Sequence, residues 1–115
     1  MAKPASGERR GAVFLYTTFP DLETAERVGT QLVEARLAAC VNILPGMRSI
    51  YRWKGAVERA EEIVMIVKTL AAREAEAIVA IRGGHPYEVP AIVALPTSGG
   101  LEPYLAWIAE NSTPA

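Results

Sequence analysis

The sequence predicts an α+β sandwich of order β-α-β-β-α-β, and three observations carry that prediction. Apolar residues recur at helical spacing in two separate stretches, 21–36 and 70–82. Between them lies a long segment, 38–69, rich in β-formers and without a helical period. Short β-rich runs precede the first helix and follow the second, so two split β-α-β units can share one mixed or antiparallel sheet with helices on one face.

The first strand is Ala12 to Thr18 (AVFLYTT), and Phe19-Pro20-Asp21 ends it with turn chemistry. Leu22, Ala25, Val28, Leu32, Val33 and Ala35 then mark one helix face, with Asp21 and Glu23 at the positive end of its dipole. The segment after it holds ACVNIL, SIYRW and EEIVMIVKT, and Lys54-Gly55 suits the reversal of a long hairpin. Alternation puts Met47, Ser49, Tyr51 and Trp53 on one face of its first arm and Arg48, Ile50 and Arg52 on the other, with a bend or bulge expected at Pro45-Gly46. Such a hairpin is longer than the average strand of roughly 5–6 residues and leaves edges that a second copy would cover.

Thr69 is expected to cap the second helix, which Gly83-Gly84 stops. Val89 to Pro96 reads as the fourth strand, at an edge because proline gives the ladder no donor. Leu101 to Glu110 reads as a short extra helix with Leu101, Leu105 and Ile108 on one face. This order is that of a ferredoxin-like sandwich with a long central hairpin and an additional C-terminal helix. Residues 1–10 read as a disordered leader, 11–111 as a single domain, and 111–115 as a frayed end.

Composition narrows the function. Twelve Lys and Arg against thirteen Asp and Glu leave a formal charge of −1, which disfavours broad nucleic-acid binding. One cysteine, Cys40, and one histidine, His85, exclude an intramolecular disulfide framework and two-histidine metal motifs. No run approaches the roughly 20 apolar residues of a membrane span, and no signal peptide is evident, so a cytoplasmic location is expected.

His85-Pro86-Tyr87-Glu88-Val89-Pro90 sets an imidazole beside a phenol and a carboxylate at a helix-to-strand junction. A histidine there can bind a metal or move a proton, or simply cap the helix that precedes it. Lys68 ends an apolar strand, where it can hold an anion or only extend its ammonium to water. Tyr51 and Trp53 suit stacking on a ligand or packing against a neighbouring subunit, and Cys40 reads as a small buried hydrophobe. Gly99-Gly100 alone is weak evidence for an anion nest.

The runs ACVNILPGMRSIYRWKG at 39–55, EIVMIVKT at 62–69, HPYEVP at 85–90 and YLAWI at 104–108 resemble the CutA divalent-cation-tolerance family, over residues 12–110. The resemblance implies a cytoplasmic homotrimer similar in architecture to the PII signalling proteins, associated with tolerance of divalent metals and copper above all. It implies an inter-subunit cleft lined by Tyr51, Trp53, Lys68, His85 and Tyr87, where Lys68 would suit an anionic ligand. Some members are proposed to bind copper through a cysteine at the end of strand one, the histidine of the HPY motif and an acidic residue after the second proline. Here those positions read Thr17, His85 and Ala91, so only the histidine matches.

The expected function is therefore binding: either Cu²⁺ or another divalent cation at His85 and Glu88, with no cofactor required, or a PII-like sensor whose cleft ligand is read by a partner protein. An enzyme with Lys68 as nucleophile or His85 as base lacks an identifiable second catalytic group.

Overall fold

In strand β1, Ala12–Phe19, alternate side chains divide the sheet into its two faces. Val13, Leu15, Thr17 and Phe19 are buried on one, and Phe14 and Tyr16 are only half-buried on the other. A computed structural model describes residues 11–115; the predicted leader, 1–10, lies outside the described residues.

Helix α1, Leu22–Glu34, starts where predicted because the Asp21 carboxylate accepts the Thr24 N–H at 2.7 Å. It lays Ala25, Val28 and Leu32 against the sheet. At Gly29 a Cβ would stand 2.8 Å from Val41 Cγ2 and 3.2 Å from Met65 Sδ, so this close approach of helix to sheet requires glycine.

Strands β2, Cys40–Trp53, and β3, Ala56–Leu70, form the predicted hairpin, with Lys54 and Gly55 both left-handed (φ 49° and 82°) in a two-residue turn that matches the strand twist. The register shifts between Leu44 and Met47, where β2 carries one residue more than β3. That bulge at Pro45-Gly46 keeps Cys40, Asn42 and Leu44 on the same face as Met47, Ser49, Tyr51 and Trp53.

Thr69 is not a helix cap. It belongs to β3, and its buried hydroxyl donates to the Leu37 carbonyl at 2.7 Å. A 3₁₀ turn, Ala71–Arg73, leads instead into α2, Glu74–Gly83. Strand β4 is Ile92–Pro96, shorter than predicted, because the proline-rich segment before it is spent on the crossing from α2. It occupies the predicted edge of an antiparallel sheet of order β2-β3-β1-β4.

Helices α1 and α2 bury Val28, Leu32, Ala77 and Ile81 with Val13, Leu15, Met65 and Val67 in the main core. Helix α3, Glu102–Asn111, departs from the one-sided arrangement. Its Ile108 and Leu105 pack with Ala12, Ala39 and Phe14 on the opposite face, at the end of the sheet that those small residues leave low. Leu101 precedes the helix and is 73% exposed, so it does not share that contact. The chain after α3 is tied down and not frayed: the Arg36 guanidinium donates to the carbonyls of Glu110 and Thr113, each at 2.6 Å, and Ser112 is buried.

The hairpin makes the molecule long, 50 × 29 × 25 Å, with a radius of gyration of 15.3 Å. A compact chain of this size would have about 13 Å. Among the described residues no helix is long and apolar enough to cross a membrane.

Candidate functional site

The face of the sheet opposite α1 and α2 is covered by α3 at one end only. At the other end it forms a cleft of about 810 Å³. Tyr16 and Thr18 of β1 and Glu62 of β3 line its floor, Met47 to Tyr51 and Trp53 of β2 form one wall, and Pro86 to Val89 of the α2–β4 segment form the other. The bulge in β2 is what brings Tyr51 and Trp53 to this face in register with Glu58 and Ala56.

The wall from the HPY segment is held by His85. Its ring stacks on Phe19 with centroids 4.5 Å apart and planes 17° from parallel. Nδ1 accepts the Tyr87 N–H at 3.2 Å, and Nε2 lies 2.6 Å from the Thr18 carbonyl. A nitrogen that accepts cannot also carry the proton, so Nε2 is the donor to Thr18 and the imidazole is the neutral Nε2–H tautomer. Both nitrogens are thus engaged with backbone. The imidazole thereby sets the turn that points Tyr87 into the cleft.

The Tyr87 hydroxyl then donates to Glu62 Oε2 at 3.1 Å. Burial, and next the charge of Glu62 beside it, push the Tyr87 phenol up to about 12. Tyrosine ordinarily titrates near ~10, so folding favours the protonated phenol. Its contribution to stability is complete below a pH of about 10 and is lost as pH rises through about 12. Tyr87→Phe, which has no proton to lose, is expected to give a shallower fall in melting temperature over that alkaline window than the wild type. Equal slopes would show that neither burial nor Glu62 holds the phenol protonated.

The structure brings Tyr51, Trp53, Tyr87 and Glu88 to one cleft, and adds Tyr16, Met47 and Glu62 to them. Tyr16 donates to Met47 Sδ at 3.5 Å. Glu62 had a legible signal: in EEIVMIVKT it shares the alternating face of Val64 and Ile66, a carboxylate at the start of an apolar stripe. What alternation could not supply was the neighbour, since Tyr87 is 25 residues away.

Lys68 is elsewhere. It lies at the α3 end of the same face, where its ammonium donates to the Tyr104 hydroxyl at 3.0 Å and stands over the rings of Phe14 and Tyr104. The hydrogen bond to Tyr104 holds its pKa above the ordinary lysine value. Cys40 is its neighbour in register across the strands, half-buried and free.

His85 and Glu88 do not make a metal centre within one chain. The imidazole has both nitrogens in hydrogen bonds, and Glu88 faces the cleft. Among the described residues no group of three or more His, Cys, Asp or Glu can hold an ion. Thr17 is in the main core, its hydroxyl buried without a hydrogen-bond partner, and Ala91 is on the cleft wall.

Residues 13–111 match the family model of the CutA1 divalent ion tolerance protein. The chain is 46% identical over 95 residues to the divalent-cation tolerance protein CutA of Thermus thermophilus, an alignment spanning 83% of this chain and 92% of that one. The crystal structure of CutA from Xylella fastidiosa superposes with a TM-score of 0.87 at 41% identity, over 90% of this chain and 99% of that one. The structure of the periplasmic divalent cation tolerance protein CutA from Archaeoglobus fulgidus gives 0.86 at 43% identity, over 89% and 99%. Sequence identity and backbone superposition thus agree along nearly the whole length, and the chain belongs to the CutA1 divalent ion tolerance protein family.

Proposed function

We propose that this protein acts in the response to divalent metal as a homotrimer, by binding a ligand in the aromatic cleft and presenting the occupied cleft to a partner protein. The observation that carries the reading is the cleft itself: aromatic rings converge with two carboxylates at the end of the sheet face that α3 leaves uncovered. A concave site of this size, mostly apolar with a few convergent polar groups, suits a small molecule. Support for binding over catalysis comes from the groups that chemistry would need, since His85 holds backbone at both nitrogens and Lys68 is bonded to Tyr104.

The trimer is supported by the length of the hairpin and by Leu44, Val93 and Leu95, which are large, apolar and half-exposed or more on the same face as the cleft. Apolar surface of that kind marks an interface. Direct binding of Cu²⁺ or another divalent ion at His85 and Glu88 is the second reading, favoured by the family's name and by the matching HPY histidine. It requires donors from neighbouring copies, and His85 would have to release the Tyr87 N–H.

Native mass spectrometry of the full chain, purified without chelator or metal-binding tag, tests both. A trimer with an organic mass increment is the expected result. Copper- or zinc-sized increments that disappear in Glu88→Gln would favour the second reading, and a bare monomer would overturn the assembly.

A further inference from the structure

We infer that, within the trimer, the basic face of one copy's hairpin seats on the acidic, aromatic face of its neighbour, so that Arg52 and Arg59 of the partner subunit complete the wall of the cleft. The inference rests on the trimer proposed above and names the two surfaces that meet and the charges that pair them.

The β2–β3 hairpin is a two-stranded ribbon whose faces carry opposite charge. On one face Arg52 stands opposite Val57 in register, and Arg59 opposite Ile50. Two guanidiniums thus frame an apolar pair, Ile50 and Val57, that is 67% and 54% exposed in the single chain. Arg48 shares this face but stands opposite Glu61, so the excess positive charge lies toward the tip. Among the described residues none of these three arginines makes an ion pair with a carboxylate.

The other face carries Tyr51 opposite Glu58 and Met47 opposite Glu62, and the Pro86 to Val89 wall adds Glu88. The turn residue Lys54 already holds its ammonium 5.8 Å from the Trp53 ring centroid, so Tyr51 with Glu58 is the ring and carboxylate pair that suits a guanidinium. An arginine can stack its plane on a ring and bond a carboxylate through its edge at the same time.

Symmetry selects among the possible pairings. A two-fold contact sets a patch against itself, which would press Arg52 and Arg59 on their own copies, or Glu58 and Glu88 on theirs, and like charges held together across an interface disfavour both. Because the two faces lie back to back on one ribbon, each copy offers both halves of a complementary contact, and such contacts pass from copy to copy until a ring closes. The ribbon also has the reach: it lengthens the molecule to 50 Å against widths of 29 and 25 Å, and its tip belongs to neither core cluster. The same contact takes Ile50 and Val57 out of water.

The test uses the full chain in sedimentation equilibrium. Arg52→Glu with Arg59→Glu makes both faces acidic, and Glu58→Arg with Glu88→Arg makes both basic. The four substitutions together exchange the faces and restore the net charge. All four side chains are exposed in the single chain, so the far-ultraviolet circular dichroism of every variant is expected to match the wild type. Each pair is expected to weaken trimer association at least about tenfold, and the four together to recover it. In a Trp107→Phe background Trp53 is the single indole, and its quenching by acrylamide is expected to rise in either pair and fall again in the combined chain. Without any substitution, raising salt from about 0.05 to about 0.5 M is expected to weaken wild-type association by a similar factor.

A wild-type chain that stays monomeric at every concentration would overturn the trimer and this inference with it. A wild-type trimer that neither pair weakens, or that salt leaves unchanged, would overturn the inference alone. So would two weakened pairs whose combination folds and does not reassemble.

Discussion

Phe19→Ala is expected to lower the free energy of unfolding by about 3–5 kcal/mol, the range for truncating a fully buried phenylalanine. Phe19 is completely buried at the end of β1, packed in the core that α1 and α2 close. It is also the platform on which His85 stacks, and His85 in turn holds the Tyr87 backbone. The substitution is therefore expected to act twice: a loss of stability in chemical denaturation, and a loss of the fixed tyrosine environment in near-ultraviolet circular dichroism. Phe19→Leu retains most of the volume and should cost less than about 1.5 kcal/mol, while still loosening Tyr87. If Phe19→Ala destabilised the protein and left the tyrosine signal intact, the stack would not be what orders the cleft wall.

Shortening the hairpin is expected to have the other large effect. Ile50 and Arg59 are partners in register, so removing residues 50–59 and joining Ser49 to Ala60 through Asn-Gly keeps the remaining pairs aligned. Every residue removed is exposed in the single chain, and none belongs to either core cluster. The domain should then still fold, and sedimentation should report a monomer in place of the proposed trimer, a threefold fall in mass. A persistent trimer would mean that the hairpin tip is not the principal contact between copies.

These two variants separate what is local in the protein from what is not. The order of elements could be read from the chain because each signal is short in range. β-rich runs marked β1 and both hairpin arms, alternation marked the faces of the first arm, helical spacing marked α1, and the Lys54-Gly55 turn and the acidic Asp21 at the start of α1 lie within four residues of what they control. The edge position of β4 was legible from its prolines. Thr69 misled because a threonine before a helix reads as a cap, whereas here a carbonyl 32 residues away takes its hydroxyl. The face chosen by α3 was not legible either, since its apolar stripe does not say which side of the sheet is left low by Ala12 and Ala39.

The candidate site divides in the same way. By itself the sequence determined the sandwich, the long hairpin and the shared face of Met47, Ser49, Tyr51 and Trp53, which follow from residue type and spacing along the chain, and the family showed in the resemblance of its motifs. Only the tertiary structure decided which charges meet those rings. Strand order and the β2 bulge bring Glu62 under Tyr87 and leave Lys68 with Tyr104 at the far end of the face. The imidazole that reads as a ligand became a brace because its neighbours, Thr18 and Phe19, come from a strand 66 or more residues earlier in the chain. Contacts across that separation depend on how the strands are ordered and registered, and no local pattern of residue types specifies them.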